Sequence, residues 1–187
     1  EEAPAPGMDE ATRKAVTDAA VLAARAVHYV NAGTVEFIAV ASQGLRGDRI
    51  WFMEMNTRLQ VEHPVTEEIT GQDLVEWELR APTEEKLPLK QEELKITGHA
   101  IEARLYAENP ASGFLPSTGL LLWYVSENEL GGAGRNVRKD LGYEDRDEVT
   151  AFYDPMIGKI IAHAEMREDA IATLRAACSD ICISGIR

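Results

Sequence analysis

Residues 54–65, EMNTRLQVEHPV, place six acidic, basic or amide side chains within ten positions. Glu54 and Asn56 are two apart, and side chains with that spacing on a β-strand point to the same face. Glu36 lies on the preceding apolar run, which we expect to pair with the strand that carries Glu54 and Asn56, and if the register is suitable Glu36 meets both of them on one face. Two carboxylates on one face repel each other unless a cation lies between them, and oxygen ligands favour Mg²⁺ or Mn²⁺. The three residues are therefore candidate metal ligands.

The next polar residues, Arg58, Gln60 and Glu62, continue the alternation. If this segment is extended, we expect them on the same face as Glu54 and Asn56. The planar guanidinium of Arg58 matches a carboxylate or bicarbonate anion, and Glu62 beside it is a candidate base.

A plainer interpretation stays open for the same residues. Glu36 and Glu54 can be exposed residues on a half-solvated sheet face. Arg58 and Glu62 can form an ordinary surface ion pair, which stabilises a protein little. His63 is predicted to be a structural histidine with satisfied hydrogen bonds, and it receives no catalytic role.

Hydrophobic periodicity predicts the elements that must position these residues. A helix is expected over about residues 10–30, capped by Asp9, and strands are expected at 34–41 and 50–56. Because a turn with two glycines joins the two strands, we expect an antiparallel hairpin. A helical passage over residues 65–81 follows.

The charged, polar stretch 83–95 predicts a domain boundary, after which the pattern turns toward β-structure. Residues 98–108 alternate as a strand with Glu102 and Arg104 on its polar face. Arg104 is a candidate anion-stabilising residue, and the alternative is a salt bridge between Arg104 and Glu102. Residues 167–183 predict a C-terminal helix.

Charge and composition exclude several classes of function. The net charge of -13 argues against a nucleic-acid partner, because a phosphate backbone selects basic surfaces. No apolar stretch reaches membrane-spanning length and no signal peptide is evident, so we expect no membrane partner. Cys178 and Cys182 lack the second pair of ligands that a zinc site needs. Nothing in the sequence suggests a disulfide framework, so we expect a reducing compartment. The first residue is not Met, and we expect the chain to be a piece of a longer protein.

The segment FMEMNTRLQVEHPVTE resembles the biotin carboxylases, a family within the ATP-grasp superfamily. The resemblance covers nearly the whole chain and also includes, in order, EEAPAPG, GTVEF, GHAIEARLYAENP, FLPSTG and YDPMIGKIIAH. It implies an α+β fold, with the C-terminal half of an ATP-grasp domain at residues 1–82. A truncated, β-rich biotin carboxylase C-terminal domain is then expected at residues 83–187.

The resemblance implies a role for each candidate residue. Those that match metal positions, for the Mg²⁺ or Mn²⁺ carried with ATP, are Glu36, Glu54 and Asn56, with Glu54 also near the nucleotide. Five further residues match positions that bind bicarbonate, deprotonate it or bind the biotin ureido group. They are Arg58, Gln60, Val61, Glu62 and Arg104. Glu62 is the implied base, and Arg104 is implied to contact both bicarbonate and biotin.

Beyond single residues, the resemblance implies an ATP-dependent ligase that carboxylates biotin with bicarbonate through carboxyphosphate. The sequence is most similar to the biotin carboxylase subunit of acyl-CoA carboxylases, particularly the methylcrotonyl-CoA type. The implied partners are a separate biotin carrier domain, a carboxyltransferase subunit or domain, and a second copy of the full-length chain. Arg138 matches a dimer-interface arginine. The implied location is the cytoplasm, or the mitochondrial matrix in a eukaryote.

Two alternatives stay open. Another ATP-grasp ligase, such as a carbamoyl-phosphate synthetase half, would share Glu54 and Asn56 but is not expected to carry QVEHPVT or Arg104. A non-catalytic scaffold remnant would keep the fold without metal-dependent ATP chemistry. The glycine-rich lid and phosphate-binding lysines that the family needs lie outside this sequence, so we expect the segment alone to be a weak or inactive catalyst.

Overall fold

The chain folds into two compact units, which we call the hairpin unit and the sheet unit. The hairpin unit comprises Ala3–Ile96, and the sheet unit comprises Glu1–Glu2 and Thr97–Arg187. The computed structural model describes residues 1–42, 44–83, 85–124 and 136–186. The division of domains at residue 82 stays a prediction, and the predicted α+β class is confirmed.

The N-terminal segment contains a short strand and the first helix. Strand β1 (Glu2–Ala3) precedes helix α1 (Glu10–Ala26). The side chain of Asp9 caps α1, as predicted, by accepting a backbone hydrogen bond of 2.7 Å from the first turn. The helix ends before residue 30 because His28 and Asn31 adopt positive φ angles of 51° and 134°, which the right-handed helix does not allow.

The predicted antiparallel hairpin is confirmed. Strand β2 (Thr34–Ala39) pairs with β3 (Ile50–Asn56), and the pairing has an irregularity after Glu36. The rings of Phe37 and Phe52 meet edge to face with centroids 6.2 Å apart. This contact anchors the two strands next to the irregularity, at the start of the half of the hairpin that carries the acidic residues.

Two helices occupy the stretch for which one helical passage was predicted. Helix α2 (His63–Thr70) ends at Gly71, whose φ of 67° is left-handed. Helix α3 (Leu74–Arg80) begins at Asp73, whose side chain accepts a 2.8 Å bond from a backbone N–H in the first turn. The glycine and the second cap therefore divide the passage.

The sheet unit contains, after β1, the elements β4 (His99–Tyr106), β5 (Glu108–Asn109), β6 (Leu115–Pro116), β7 (Gly119–Leu120), β8 (Leu122–Tyr124), β9 (Asn136–Leu141), β10 (Glu148–Val149), β11 (Met156–Ala164), α4 (Arg167–Asp180) and β12 (Cys182–Ser184). Four strands form one sheet in the order β1-β4-β11-β9, with β11 antiparallel to both of its neighbours. The remaining strands form the short pairs β5–β6, β7–β10 and β8–β12.

Helix α4 packs on the apolar face of the four-stranded sheet. Ile160 of β11 and Ala177 of α4 are both fully buried there, with Leu105 packed against them. A second buried cluster includes Leu121 and Ile157. The opposite face of the same sheet is charged, because side chains alternate along each strand.

Helix length bears on the expectation that no membrane is involved. Within the described ranges, no helix is both long enough and apolar enough to cross a bilayer.

Candidate active site

The hairpin brings three of the predicted site residues together. The register places Glu36 directly opposite Glu54, and Thr34 opposite Asn56. The side-chain amide of Asn56 donates to Glu36 Oε1 at 2.6 Å and to Glu54 Oε1 at 3.2 Å. The two carboxylates and the amide therefore form one connected group on the hairpin.

The chemistry of this group fits a hard divalent cation. The side-chain amide of Asn56 donates to both carboxylates, whose negative charges a bound cation would neutralise. A half-turn of the amide exchanges its nitrogen for oxygen, and the group then offers three oxygen-bearing side chains. Among the described residues, no cluster of three or more His, Cys, Asp or Glu residues could hold a metal. Two carboxylates and one amide suit Mg²⁺, which usually keeps waters and binds substrate phosphates as well.

The predicted extension of β3 through residues 58–62 is wrong. Strand β3 ends at Asn56, and a bend and a turn follow before α2. Pro64 lies in the first turn of α2, where its missing N–H costs nothing. Backbone bonds of 3.3 Å from His63 to Gln60 and from Val65 to Glu62 close the turn. The side chains of this segment therefore do not alternate as on a strand.

Gln60 and Arg58 nevertheless stay connected to the acidic group. Gln60 Nε2 lies 3.5 Å from Glu36 Oε1. One guanidinium nitrogen of Arg58 donates to Gln60 Oε1 at 3.3 Å and to the carbonyl of Leu59 at 3.2 Å. The turn thus joins the exposed guanidinium to the hairpin carboxylates through Gln60.

Glu62 lies at the N-cap position of α2 but makes no side-chain capping bond. With Gln60 and Val35, it lines a cleft of about 390 Å³ within the hairpin unit. Within the described part of the chain, no ion pair joins Glu62 to Arg58, so that alternative is wrong. The Glu62 carboxylate is partly exposed at the cleft, where it can accept a proton from a bound ligand.

His63 has the structural role that was predicted for it. Its Nδ1 lies 2.7 Å from the carbonyl of Gln60, and its Nε2 lies 3.9 Å from Glu67 Oε2. Glu67 is buried and accepts a 2.7 Å hydrogen bond from the backbone N–H of Leu74. These contacts tie the site turn to α2, and α2 to the first residue of α3.

Arg104 belongs to the sheet unit. The alternative in which it pairs with Glu102 is wrong. The guanidinium of Arg104 instead lies 3.7 Å from Glu1 Oε1 and 5.8 Å from the ring centroid of Tyr106. Its side chain is 38% exposed, so it is accessible to a ligand.

Glu102 is the residue of interest that the sequence reasoning missed. It is only 3% exposed, and neither carboxylate oxygen has a hydrogen-bond partner. Burial raises the pKa of the Glu102 carboxyl to about 7, and the nearby Lys159 ammonium opposes that rise. Its position two residues before Arg104 in an otherwise apolar part of the strand was the available signal.

Two family models match the chain in succession. The carbamoyl-phosphate synthase L chain ATP-binding domain matches residues 1–90. The biotin carboxylase C-terminal domain matches residues 102–187.

Similar proteins match over the whole length of the chain. The mitochondrial methylcrotonoyl-CoA carboxylase subunit alpha of Dictyostelium discoideum is 50% identical over 186 residues, covering 100% of this chain and 25% of that protein. The biotin carboxylase of Halalkalibacterium halodurans is 46% identical over 187 residues, covering 100% of this chain and 39% of that protein. The chain therefore spans well under half the length of these relatives.

A solved structure shows the same fold with ligands. It is the dimeric biotin carboxylase domain of Hydrogenobacter thermophilus 2-oxoglutarate carboxylase in complex with MgADP, ADP and bicarbonate. The TM-score is 0.88 at 38% identity, with 100% of this chain and 39% of that chain covered.

Proposed function

This chain belongs to the biotin carboxylases of the ATP-grasp superfamily, and we propose that it supplies part of the active site for ATP-dependent carboxylation of biotin. The observation that carries the proposal is the hydrogen-bonded group of Glu36, Glu54 and Asn56, joined through Gln60 to Arg58. It combines a hard-cation site with an anion-binding arginine, and the chemistry of ATP and bicarbonate requires both.

The metal site would be formed by Glu36, Glu54 and Asn56. A bound Mg²⁺ or Mn²⁺ would neutralise charge on the phosphates of ATP. Glu54 would also contact the nucleotide. The amide of Asn56 would turn its oxygen inward when the cation is present, and its present hydrogen bonds to the carboxylates keep the group assembled without one.

The bicarbonate site would be formed by the turn before α2. The Arg58 guanidinium would bind the anion, and Gln60 and the backbone of Val61 would orient it. Glu62 would take the bicarbonate proton, because its carboxylate is free of capping bonds and lines the cleft beside Gln60. The resulting anion would attack the γ-phosphate of ATP, the bond to the β-phosphate would break with ADP as the leaving group, and carboxyphosphate would form.

Arg104 would act on the biotin side of the reaction. Its exposed guanidinium would bind the ureido oxygen of biotin and favour negative charge on that oxygen. It would also contact bicarbonate. The absence of an ion pair with Glu102 supports this role, because no strong internal salt bridge holds the guanidinium away from a ligand.

The complete protein would work as part of an acyl-CoA carboxylase, of which the methylcrotonyl-CoA type is the proposed variety. It would receive biotin from a carrier domain and pass the carboxyl group to a carboxyltransferase. A homodimer of the full-length chain is proposed, with Arg138 at the interface. The proposed location is the cytoplasm, or the mitochondrial matrix in a eukaryote.

The test is bicarbonate-dependent phosphate release from ATP by the full-length protein, with and without free biotin. We expect biotin to stimulate release, and Glu62→Gln to lower it at least about a hundredfold, as loss of a positioned base does. Glu92→Gln, an exposed glutamate of the same unit, is the matched control and should leave the rate unchanged. Hydrolysis that ignores biotin would instead indicate another ATP-grasp ligase, and no turnover would indicate a scaffold.

A further inference from the structure

Glu102 is a buried carboxylate for which the proposed reaction gives no role. Its side chain is almost fully enclosed in the sheet unit, and both oxygens lack hydrogen-bond partners. Burying an unpaired carboxylate is costly, and each such group in a native fold needs a physical explanation. The neighbouring charges on the same sheet face supply that explanation.

The register of the sheet places two cations face to face beside it. Arg104 of β4 lies directly opposite Lys159 of β11, and Lys159 lies directly opposite Asp140 of β9. Like charges directly opposite each other on one sheet face destabilise the pairing. Glu102 is on that same face, two residues before Arg104.

The two carboxylates on this face are engaged differently. Asp140 accepts two hydrogen bonds from Arg138, at 2.8 and 3.0 Å, and lies 3.6 Å from the Lys159 ammonium. Glu102 has no comparable hydrogen bond. The Asp140 charge is therefore shared with Arg138, and the Glu102 charge remains to offset the pair of Arg104 and Lys159.

Arg104 is held only loosely by its other contacts. Its distances to Glu1 and to the ring of Tyr106 are too long for hydrogen bonds. The position of its guanidinium therefore depends on the net charge of the sheet face. The charged and titratable groups on the strands beside Glu102 are the N-terminal ammonium, Glu1, Arg104, Tyr106, Arg138, Asp140, Lys159 and His163.

We propose that Glu102 is a positioning residue for Arg104, whose carboxylate offsets the repulsion between Arg104 and Lys159 and so fixes the guanidinium for biotin. This inference rests on the proposed function, in which Arg104 binds the ureido oxygen. When Glu102 is neutral, less negative charge offsets the repulsion between the two cations, and Arg104 moves away from Lys159. Biotin binding then weakens as the solution becomes acidic.

The charge of Glu102 changes in a range where this can be measured. Because burial raises its pKa to about 7, the carboxylate is ionised in mildly alkaline solution and protonated in mildly acidic solution. A neutral, isosteric substitution therefore separates the charge from the shape.

The experiment compares the full-length wild type with Glu102→Gln in biotin-stimulated phosphate release. We expect the KM for free biotin to be about tenfold higher in the variant at about pH 8, and the two KM values to converge at about pH 6. The Kd for MgADP, measured in the same preparations, should stay unchanged. Glu165→Gln, an exposed glutamate just after β11, is the control for an equal change in net charge.

A purely structural role would give a different result. An equal KM ratio at both pH values, or an unchanged KM throughout, would overturn the positioning role. Glu102→Asp keeps the charge and is expected to restore the pH dependence even if its KM is higher, which covers the case in which Glu102→Gln folds poorly. A wild type with no biotin stimulation would overturn the proposed function itself, whereas a stimulated wild type with a pH-independent ratio would overturn only this inference.

Discussion

The two units differ in where their apolar side chains lie. In the sheet unit, Ile160 and Leu121 are fully buried. In the hairpin unit, Leu22, Trp51 and Phe52 are 69%, 51% and 55% exposed. Yet the hairpin unit carries all but one of the predicted site residues, and the sheet unit carries Arg104 alone.

The difference separates the source of stability from the source of chemistry. The polar group on the hairpin is organised by local contacts, namely the pairing of Glu36 with Glu54 and the amide of Asn56 between them. A large core is not needed to hold it. The sheet unit has a core, and there a charged group such as Glu102 can be buried at a cost that the core offsets.

The largest expected effect is on the stability that the core of the sheet unit provides. Ile160→Ala in the sheet unit should lower the free energy of unfolding by about 2–5 kcal/mol, because it leaves a cavity under α4. Ile38→Ala on the hairpin, where the side chain is 54% exposed, should cost less than about 1 kcal/mol. Urea unfolding, followed by amide hydrogen exchange in each unit, measures both changes in the free energy of unfolding. Equal losses of stability in the two units would contradict the proposed difference between them.

The second effect is the pH dependence of stability that Glu102 contributes. Its pKa rises from an ordinary 4.5 to about 7 on folding, so the folded state binds the proton more tightly. The contribution is present in acid and is lost as the pH rises through about 7. Glu102→Gln should therefore stabilise the protein relative to wild type by about 2 kcal/mol more at about pH 8 than at about pH 5.5. Urea melts at the two pH values measure this, and a pH-independent difference would contradict it.

The third effect tests the hairpin as a cation site. Glu36→Gln should weaken Mn²⁺ binding by the full-length protein at least about tenfold, or about 1.4 kcal/mol, because one of two carboxylates is lost. Global stability should hardly change, since the side chain is only partly buried. Electron paramagnetic resonance of free Mn²⁺ gives the affinity, with Glu92→Gln as control. Unchanged Mn²⁺ affinity would contradict a metal site on the hairpin.

The smallest effect concerns a salt bridge within the sheet unit. Arg167 at the start of α4 donates to both oxygens of Glu2 at 2.7 and 3.1 Å, and this holds the pKa of Glu2 below its usual value. The side chains are 37% and 27% exposed, so the pair should contribute less than about 1 kcal/mol. A double-mutant cycle with Glu2→Gln and Arg167→Met measures it, and a coupling of several kcal/mol would show that this edge of the sheet unit is not solvent-screened.

The hairpin could be predicted from the sequence because its signals are local. Strand β3 occupies the predicted residues 50–56, and the i, i+2 rule puts Glu54 and Asn56 on one face. The register that brings Glu36 opposite Glu54 depends on the length of the turn and on the irregularity after Glu36. The sequence left that register as a condition, and the structure meets it.

In the part of the chain that it describes, the structure shows neither the extended segment after Asn56 nor the alternative pairing of Arg104 with Glu102. The alternation of Arg58, Gln60 and Glu62 looks like a strand, but Pro64 and the turn bonds begin α2 there. The alternative pairing of Arg104 with Glu102 is not formed, although neighbours at i and i+2 on one strand can pair, as Arg138 and Asp140 do. Burial is set by the strands on either side, β1 and β11, which spacing within β4 does not reveal.

The central claim is that bicarbonate bound beside the hairpin group attacks ATP. The most direct measurement follows ¹⁸O from labelled bicarbonate during biotin-stimulated turnover of the full-length protein, by mass spectrometry of the released phosphate. If carboxyphosphate forms, each phosphate acquires one labelled oxygen from bicarbonate. Phosphate that carries oxygen from water and none from bicarbonate would contradict the account.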